Sequence, residues 1–127
     1  MLKNIQNTTI KETTREQSAL LKKELPNFTF KNENILFDYL EDNMELYPIL
    51  IKSKSIIRKY FKDNDLVLEY YIDPEIPSLN CIFITILITK NVDVSLAMDD
   101  IHKIDIEMAN LYKGNDDGRI IAKIDFT

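Results

Sequence analysis

The segment from residue 81 to residue 89, Cys-Ile-Phe-Ile-Thr-Ile-Leu-Ile-Thr, is apolar at nearly every position. It is too short to cross a membrane, and its β-branched and aromatic side chains favour a strand over a helix. A strand that is apolar on both faces lies in the middle of a sheet and is covered above and below. We therefore predict that residues 81–89 form the central strand of the core.

Two further segments, 66–72 and 120–126, alternate between apolar and polar residues and predict strands with one apolar face. The apolar sets are Leu66, Leu68, Tyr70 and Ile72 in the first segment and Ile120, Ala122, Ile124 and Phe126 in the second. Residues 73–78 contain two prolines and predict a loop that joins 66–72 to 81–89 as a hairpin.

Apolar residues at helical spacing predict the remaining elements. Asp93 is a suitable N-cap for a long helix that runs to about residue 112. A second apolar stripe runs from Leu46 to Phe61, with Pro48 in the first turn, where a missing N–H costs little. Asn32 is predicted to cap a shorter helix that ends near residue 43. The stripe of the long helix comprises Val94, Ala97, Met98, Ile101, Ile104, Met108, Leu111 and Tyr112.

Local sequence signals mark the start of the first helix and the end of the long helix. The capping-box spacings Thr9-x-x-Glu12 and Thr13-x-x-Glu16 each predict the start of a first helix that runs to about Glu24. The glycine-framed segment 114–118 predicts the turn that ends the long helix.

Together these elements predict an α+β fold with N-terminal helices followed by a β-β-α-β unit. The unit forms a small three-stranded mixed sheet, in which 81–89 is central and parallel to 120–126. We expect one domain over 1–127, with 1–9 loosely ordered, 10–62 helical and 65–127 forming the β-β-α-β part. Either the N-terminal helices or a second subunit must then cover the second face of the sheet.

Composition disfavours several classes of function. The chain carries a net charge of −5, which disfavours binding to nucleic acid or to an anionic membrane surface. Its two glycines are too few for a phosphate-binding loop. The single cysteine and the absence of an apolar leader predict a cytoplasmic protein with no internal disulfide. We expect no cofactor and no membrane association.

Residues 48–126 resemble a group of small, uncharacterised prokaryotic proteins that is widespread in cyanobacteria. The resemblance is carried by Tyr60-Phe61-x-Asp63, Leu66-x-Leu68-Glu69, Asp73-Pro74-Glu75 and the final Ile124-Asp125-Phe126. This chain has Lys62 where the group usually has proline, and Leu111-Tyr112 where an aromatic pair often ends the long helix. The resemblance implies a shared fold and no assigned activity.

The second face of the sheet is the best candidate for a polar site. Alternation places Glu69 and Tyr71 opposite the apolar set of the first strand, and Lys123 and Asp125 opposite that of the last. Thr85 projects from the middle strand, together with Thr89. These groups form either a binding surface or a half-solvated sheet face with a cross-strand Glu69–Lys123 pair.

Asp105 falls within the apolar stripe of the long helix, where a carboxylate has to be paired, hydrogen-bonded or protonated. It is either a site residue with a raised pKa or half of a structural pair at the edge of the core. The candidate partners are Arg58, Lys59, Tyr60, Tyr70 and Arg119.

A basic stripe lies between residues 52 and 62 and contains five positive charges and no negative charge. It either contacts phosphates or complements the dipole at the C-terminal end of a helix. Its members are Lys52, Lys54, Arg58, Lys59 and Lys62.

His102 has no second histidine with which to share a metal, so we expect an exposed helical side chain and no metal site. Cys81 is expected to be an inert residue of the core. No catalytic constellation can be specified, so we predict a non-catalytic accessory module that binds another protein or forms a homodimer. The alternatives are a small-molecule binding module or minor enzyme that uses the polar sheet face, and a nucleic-acid-linked regulator that uses the basic stripe.

Overall fold

The computed structural model describes residues 19–89, 91–112 and 119–127, with only the backbone of Tyr112 included. The predictions for residues 1–9, for the start of the first helix and for the turn at 114–118 lie outside these residues. The end of the first helix is described, because residues 19–24 are helical and are named α1 here.

Four strands and three further helices follow α1. They are β1 (Phe28–Lys31), α2 (Glu33–Asp42), α3 (Leu46–Tyr60), β2 (Leu66–Tyr71), β3 (Cys81–Ile88), α4 (Val94–Tyr112) and β4 (Ile120–Phe126). A single 3₁₀ turn, Pro77–Leu79, lies in the loop between β2 and β3. The predicted order of N-terminal helices followed by β-β-α-β is therefore confirmed, but β1 is inserted between α1 and α2, within the segment 10–62 that was expected to be helical.

The sheet is mixed and has the order β1-β2-β3-β4. β1 is parallel to β2, β2 is antiparallel to β3, and β3 is parallel to β4. The predicted hairpin and the central position of β3 are confirmed. The prediction of three strands is wrong, because β1 pairs with the outer edge of β2 and makes a fourth.

All the described helices contribute to one hydrophobic core on one face of the sheet. The strand register places the buried sheet residues of this core on a single face. Ile82, Ile84, Ile86 and Ile88 are the contribution of β3, and each is at most 1% exposed. The described parts of the N-terminal helices thus pack on the same side of the sheet as α4 and do not cover its second face.

The helix starts agree with the sequence in part. The Asp93 carboxylate accepts the backbone N–H groups of Ser95 (2.9 Å) and Leu96 (3.3 Å), which confirms the cap of α4. Asn32 precedes α2 but makes no side-chain cap; it adopts a left-handed conformation with φ 51° and ψ 56°. Asparagine tolerates that conformation, which turns the chain from β1 into α2.

The apolar stripe of α4 is narrower than the sequence predicts. Ala97, Ile101, Ile104 and Met108 are buried, whereas Val94 and Met98 are more than half exposed. Both residues lie in the first two turns of the helix, where Ala97 is the only buried member of the stripe.

Candidate functional site

The second face of the sheet, named here the open face, presents alternate residues of all four strands. Its members are Thr29, Lys31, Val67, Glu69, Tyr71, Cys81, Phe83, Thr85, Leu87, Ile121, Lys123 and Asp125. The register aligns them in rows that cross the sheet, such as Lys31–Glu69–Phe83–Ile121 and Thr29–Val67–Thr85–Lys123. The predicted grouping of Glu69, Tyr71, Thr85, Lys123 and Asp125 on one face is therefore observed.

The open face has a partly buried apolar centre and a charged rim. Val67, Phe83 and Leu87 are half-buried, and Ile121 near the β4 edge is 39% exposed. Cys81 (3% exposed) and Thr85 (6%) are buried. Lys123 and Asp125 are exposed on the β4 side, and Lys31 is exposed on the β1 side.

The charged groups pair differently from the sequence prediction. Glu69 Oε2 lies 3.6 Å from Lys31 Nζ, a residue of the unpredicted strand β1. Lys123 Nζ lies 4.4 Å from the centre of the Phe83 ring, at cation–π distance. The predicted Glu69–Lys123 pair is replaced by these two contacts, because β3 separates β2 from β4.

At one end of the open face, Tyr71 is tied to the loop that follows its strand. Its hydroxyl donates to Asp73 Oδ2 at 3.0 Å, and Asp73 Oδ1 accepts the backbone N–H groups of Glu75 and Ile76 at 2.9 and 2.8 Å. The backbone hydrogen bonds from Ile76 and Glu75 are the main reason that the pKa of Asp73 is lowered. The hydrogen bond to Asp73 raises the pKa of Tyr71. The Asp73-Pro74-Glu75 motif thus shapes a loop.

Cys81 lies beside Tyr71 in the register and is nearly inaccessible. Burial raises the pKa of its thiol, which keeps the sulfur in the weakly nucleophilic protonated form. This agrees with the prediction of an inert cysteine.

Asp105 does not belong to the core. It is exposed, and desolvation by its surroundings raises the pKa of its carboxyl, while His102 one turn away acts in the opposite direction. None of the five predicted partners is observed to bond it. The acid of α4 that contacts α3 is Glu107, which accepts a hydrogen bond from Tyr60 (2.7 Å) and pairs with Lys59.

Lys59 and then Tyr60 are the main causes of the lowered pKa of Glu107. The hydrogen bond to Glu107 correspondingly raises the pKa of Tyr60. The contacts of Lys59 and Tyr60 with Glu107 therefore connect the end of α3 to α4. The tyrosine of the Tyr60-Phe61 motif thus has a structural role in packing these two helices together.

Several side chains of the basic stripe bond to other groups of the same chain. Lys54 Nζ donates to the backbone carbonyl of Glu24 at 2.6 Å. Arg58 donates to the carbonyls of Phe61 (3.0 Å) and Asn64 (2.8 Å) at the end of α3. Since Lys59 binds Glu107, only Lys52 and Lys62 of the predicted stripe are exposed without one of these contacts.

Arg119, which directly precedes β4, is the centre of a polar cluster that the sequence analysis missed. Its guanidinium donates to the Tyr39 hydroxyl (3.3 Å), to Asn43 Oδ1 (2.6 Å) and to Glu45 Oε1 (3.1 Å). Tyr39 in turn stacks on Tyr70, with ring centroids 4.0 Å apart. The cluster links the α2–α3 connection to the start of β4 and the end of β2.

A cavity of about 340 Å³ lies between α1 and the start of α3. Its described lining is Leu20, Leu21, Glu24, Met44, Tyr47 and Ile51. The Tyr47 hydroxyl is buried and has no hydrogen-bond partner, and burial raises its pKa. A buried hydroxyl without a partner is uncommon, because its desolvation is then uncompensated.

Comparison with protein-family models, with curated proteins and with solved structures finds no match. Within the described residues, no group of three or more histidine, cysteine, aspartate or glutamate side chains is arranged to hold a metal ion. No helix among the same residues is long and apolar enough to span a membrane.

Proposed function

We propose that this chain is a non-catalytic interaction module and that the open face is its binding surface. The observation that carries the proposal is the placement of every described helix on the opposite face. Val67, Phe83 and Leu87 on this face are half-buried apolar residues. Removing the rest of their surface from water would favour the binding of a partner.

The chemistry of the open face suits a protein partner. Its centre is apolar, and its rim carries the Lys31–Glu69 pair on one side and the exposed Lys123 and Asp125 on the other. Protein interfaces have the same organisation, with an apolar centre that contributes most of the affinity and a polar rim that aligns the partners. The hydrogen bond between Tyr71 and Asp73 shapes the neighbouring loop and supports no catalytic role.

The proposal is tested by affinity capture from a lysate of the native cells, with quantitative mass spectrometry of the bound proteins. We expect the natural chain to retain a partner and the Ile121→Asp variant to lose at least nine tenths of it, because a carboxylate would be desolvated in the apolar contact. Ile121 is 39% exposed, so the substitution leaves the core intact.

The matched control is Leu96→Asp, which introduces the same charge at a 62% exposed position of α4. This variant is expected to retain the partner in full. Equal capture by both variants, or loss of the partner with Leu96→Asp alone, would contradict binding through the open face.

A second candidate function is suggested by the cavity between α1 and α3. A volume of about 340 Å³ lies within the range of small-molecule sites, and the described lining residues are apolar except for Glu24 and for Tyr47, whose buried hydroxyl has no hydrogen-bond partner. The carboxylate of Glu24 in the lining disfavours anionic ligands. The cavity therefore fits a neutral apolar molecule with a single polar group.

This second candidate predicts that 1-decanol binds and shifts the NMR signals of Leu21 and Ile51, while decanoate binds more weakly. The Tyr47→Phe variant keeps the ring and removes only the hydroxyl, so its affinity for 1-decanol is expected to fall roughly threefold to tenfold. Unchanged affinity would remove Tyr47 from the site, and absence of any shift would remove the cavity.

A further inference from the structure

From Ala122 to Phe126, the outer edge of β4 has no neighbouring strand within the described sheet. The directions of its backbone groups follow from two hydrogen bonds to β3. Ile82 N–H donates to the carbonyl of Arg119 at 2.7 Å, and Thr127 N–H donates to the carbonyl of Ile88 at 2.9 Å. Odd-numbered residues of β4 thus direct their backbone groups toward β3. Because direction alternates along a strand, those of Ala122, Ile124 and Phe126 face outward.

This edge carries two charged residues, Lys123 and Asp125, but lacks the proline and the short length that also prevent strand addition. β4 spans seven residues, contains no proline and ends in Phe126, which is 39% exposed. The opposite edge, β1, has only four residues. A long edge with outward N–H and C=O groups is a template for another strand.

We propose that β4 pairs antiparallel with β4 of a second copy of this chain, with Ile124 opposite Ile124 on the two-fold axis. The pairing joins two sheets into one of eight strands. Ala122, which is 6% exposed, then lies opposite the more exposed Phe126 of the second copy. The outward groups of Ala122, Ile124 and Phe126 make about six backbone hydrogen bonds between the copies.

The charges of β4 select this register from its neighbours. A register between the two copies is acceptable only if even-numbered residues lie opposite even-numbered residues. Their outward backbone groups can then bond, and the two sheet faces stay matched. Centring on Lys123 places two lysines opposite each other, and centring on Asp125 places two aspartates opposite each other. Centring on Ile124 places Lys123 opposite Asp125 twice, which forms two favourable cross-strand pairs.

The same pattern explains why the occupant is a second copy and not an unrelated strand. Lys123 and Asp125 flank Ile124 at equal spacing, so the edge is complementary to itself under a two-fold rotation. The pairing also extends the open face without interruption across both copies. It deepens the proposed function, because that face becomes a double-width surface, but it requires no other partner.

Sedimentation equilibrium of the purified full chain tests the proposal. The natural chain is expected to dimerise reversibly, with a molar mass that rises toward twice that of one chain. Lys123→Asp and Asp125→Lys each convert both cross-strand pairs to like charges, so each is expected to raise the dimer dissociation constant roughly tenfold. The double variant K123D/D125K restores opposite charges and is expected to restore dimerisation.

Disulfide trapping tests the register independently of charge. Directly opposed residues without hydrogen bonds between them lie about 4.5 Å apart at Cα, within the range that a disulfide bridges. An equimolar mixture of the Lys123→Cys and Asp125→Cys variants should therefore form a covalent dimer on mild oxidation. Either variant alone should not, because its two cysteines lie on a diagonal of about 7–8 Å. The natural Cys81 is 3% exposed and contributes little background.

Three outcomes would overturn the proposal. They are a natural chain that is monomeric at every concentration, equal dimerisation by the natural chain and all three charge variants, and efficient trapping of Lys123→Cys or Asp125→Cys alone. Since these measurements use purified protein, a failure here is distinct from a failure to capture a partner with the open face.

Discussion

Replacing Ile84 by alanine is expected to lower the free energy of unfolding by about 2–5 kcal/mol, the largest effect of any single truncation proposed for this chain. Ile84 is fully buried at the centre of β3, between Leu68 of β2 and Ala122 of β4. Ile84 belongs to the hydrophobic core that the described helices form on the sheet, so the cavity left by the lost carbons cannot collapse fully. Urea denaturation followed by circular dichroism measures the change.

The matched control for Ile84→Ala is Ile121→Ala, which removes the same atoms from the other face of the same sheet. Ile121 is 39% exposed, so its truncation is expected to cost less than about 1 kcal/mol. A cost for Ile121→Ala as large as that for Ile84→Ala would mean that the open face is covered in the full chain, contrary to the proposed binding surface.

The Arg119→Ala variant is expected to lose about 2–3 kcal/mol of unfolding free energy, the second largest effect. The guanidinium is 18% exposed and holds Tyr39, Asn43 and Glu45 together. Its removal leaves the Asn43 amide oxygen and the Tyr39 hydroxyl without this donor and releases the stack of Tyr39 on Tyr70. The same urea titration, with near-ultraviolet circular dichroism as a tyrosine probe, measures both consequences.

Two controls separate the geometry of Arg119 from its charge. Arg119→Lys keeps the charge but cannot present a planar fork of donors, so we expect it to recover only part of the loss. Lys31→Ala removes an exposed charge whose partner Glu69 lies 3.6 Å away, and it should cost less than about 1 kcal/mol. If Arg119→Ala is as mild as Lys31→Ala, the cluster does not stabilise the fold.

The elements with strong local patterns could be predicted from the sequence. The continuous apolar character of β3 indicated its central position, and the alternation in β2 and β4 indicated which of their residues lie on each face. β1 was missed because four residues, Phe-Thr-Phe-Lys, give too short an alternation to distinguish a strand from a loop. Its parallel pairing with β2 is formed across two intervening helices, so no local signal records it.

The candidate site was predictable in membership but not in pairing. Alternation placed Glu69 on the open face, but its partner Lys31 comes from the strand that was missed. In α4, helical phase placed Asp105 in the apolar stripe, whereas the contact with α3 is made by Glu107. Which acid meets Tyr60 depends on how α3 and α4 cross, and sequence spacing along one helix does not contain that angle.

The connection from β1 to β2 and the connection from β3 to β4 are of opposite hand. Each joins two parallel neighbours, passes over the same face of the sheet and steps in the same direction across it. The antiparallel β2–β3 contact, however, makes the two pairs run in opposite directions. If one pair is rotated by half a turn within the sheet plane, its strands become parallel to those of the other pair and its helices stay on the same face. Its connection then crosses the sheet in the opposite direction, so one crossover is right-handed and the other is left-handed.

Right-handed crossovers make up about 98% of such connections, so the chain contains one of the rare left-handed kind. Each half begins and ends with parallel strands, but two helices, α2 and α3, join β1 to β2, whereas one helix, α4, joins β3 to β4. Their opposite hands prevent the two halves from being superposed, and the fold is therefore not a tandem duplication of a single β-α-β unit.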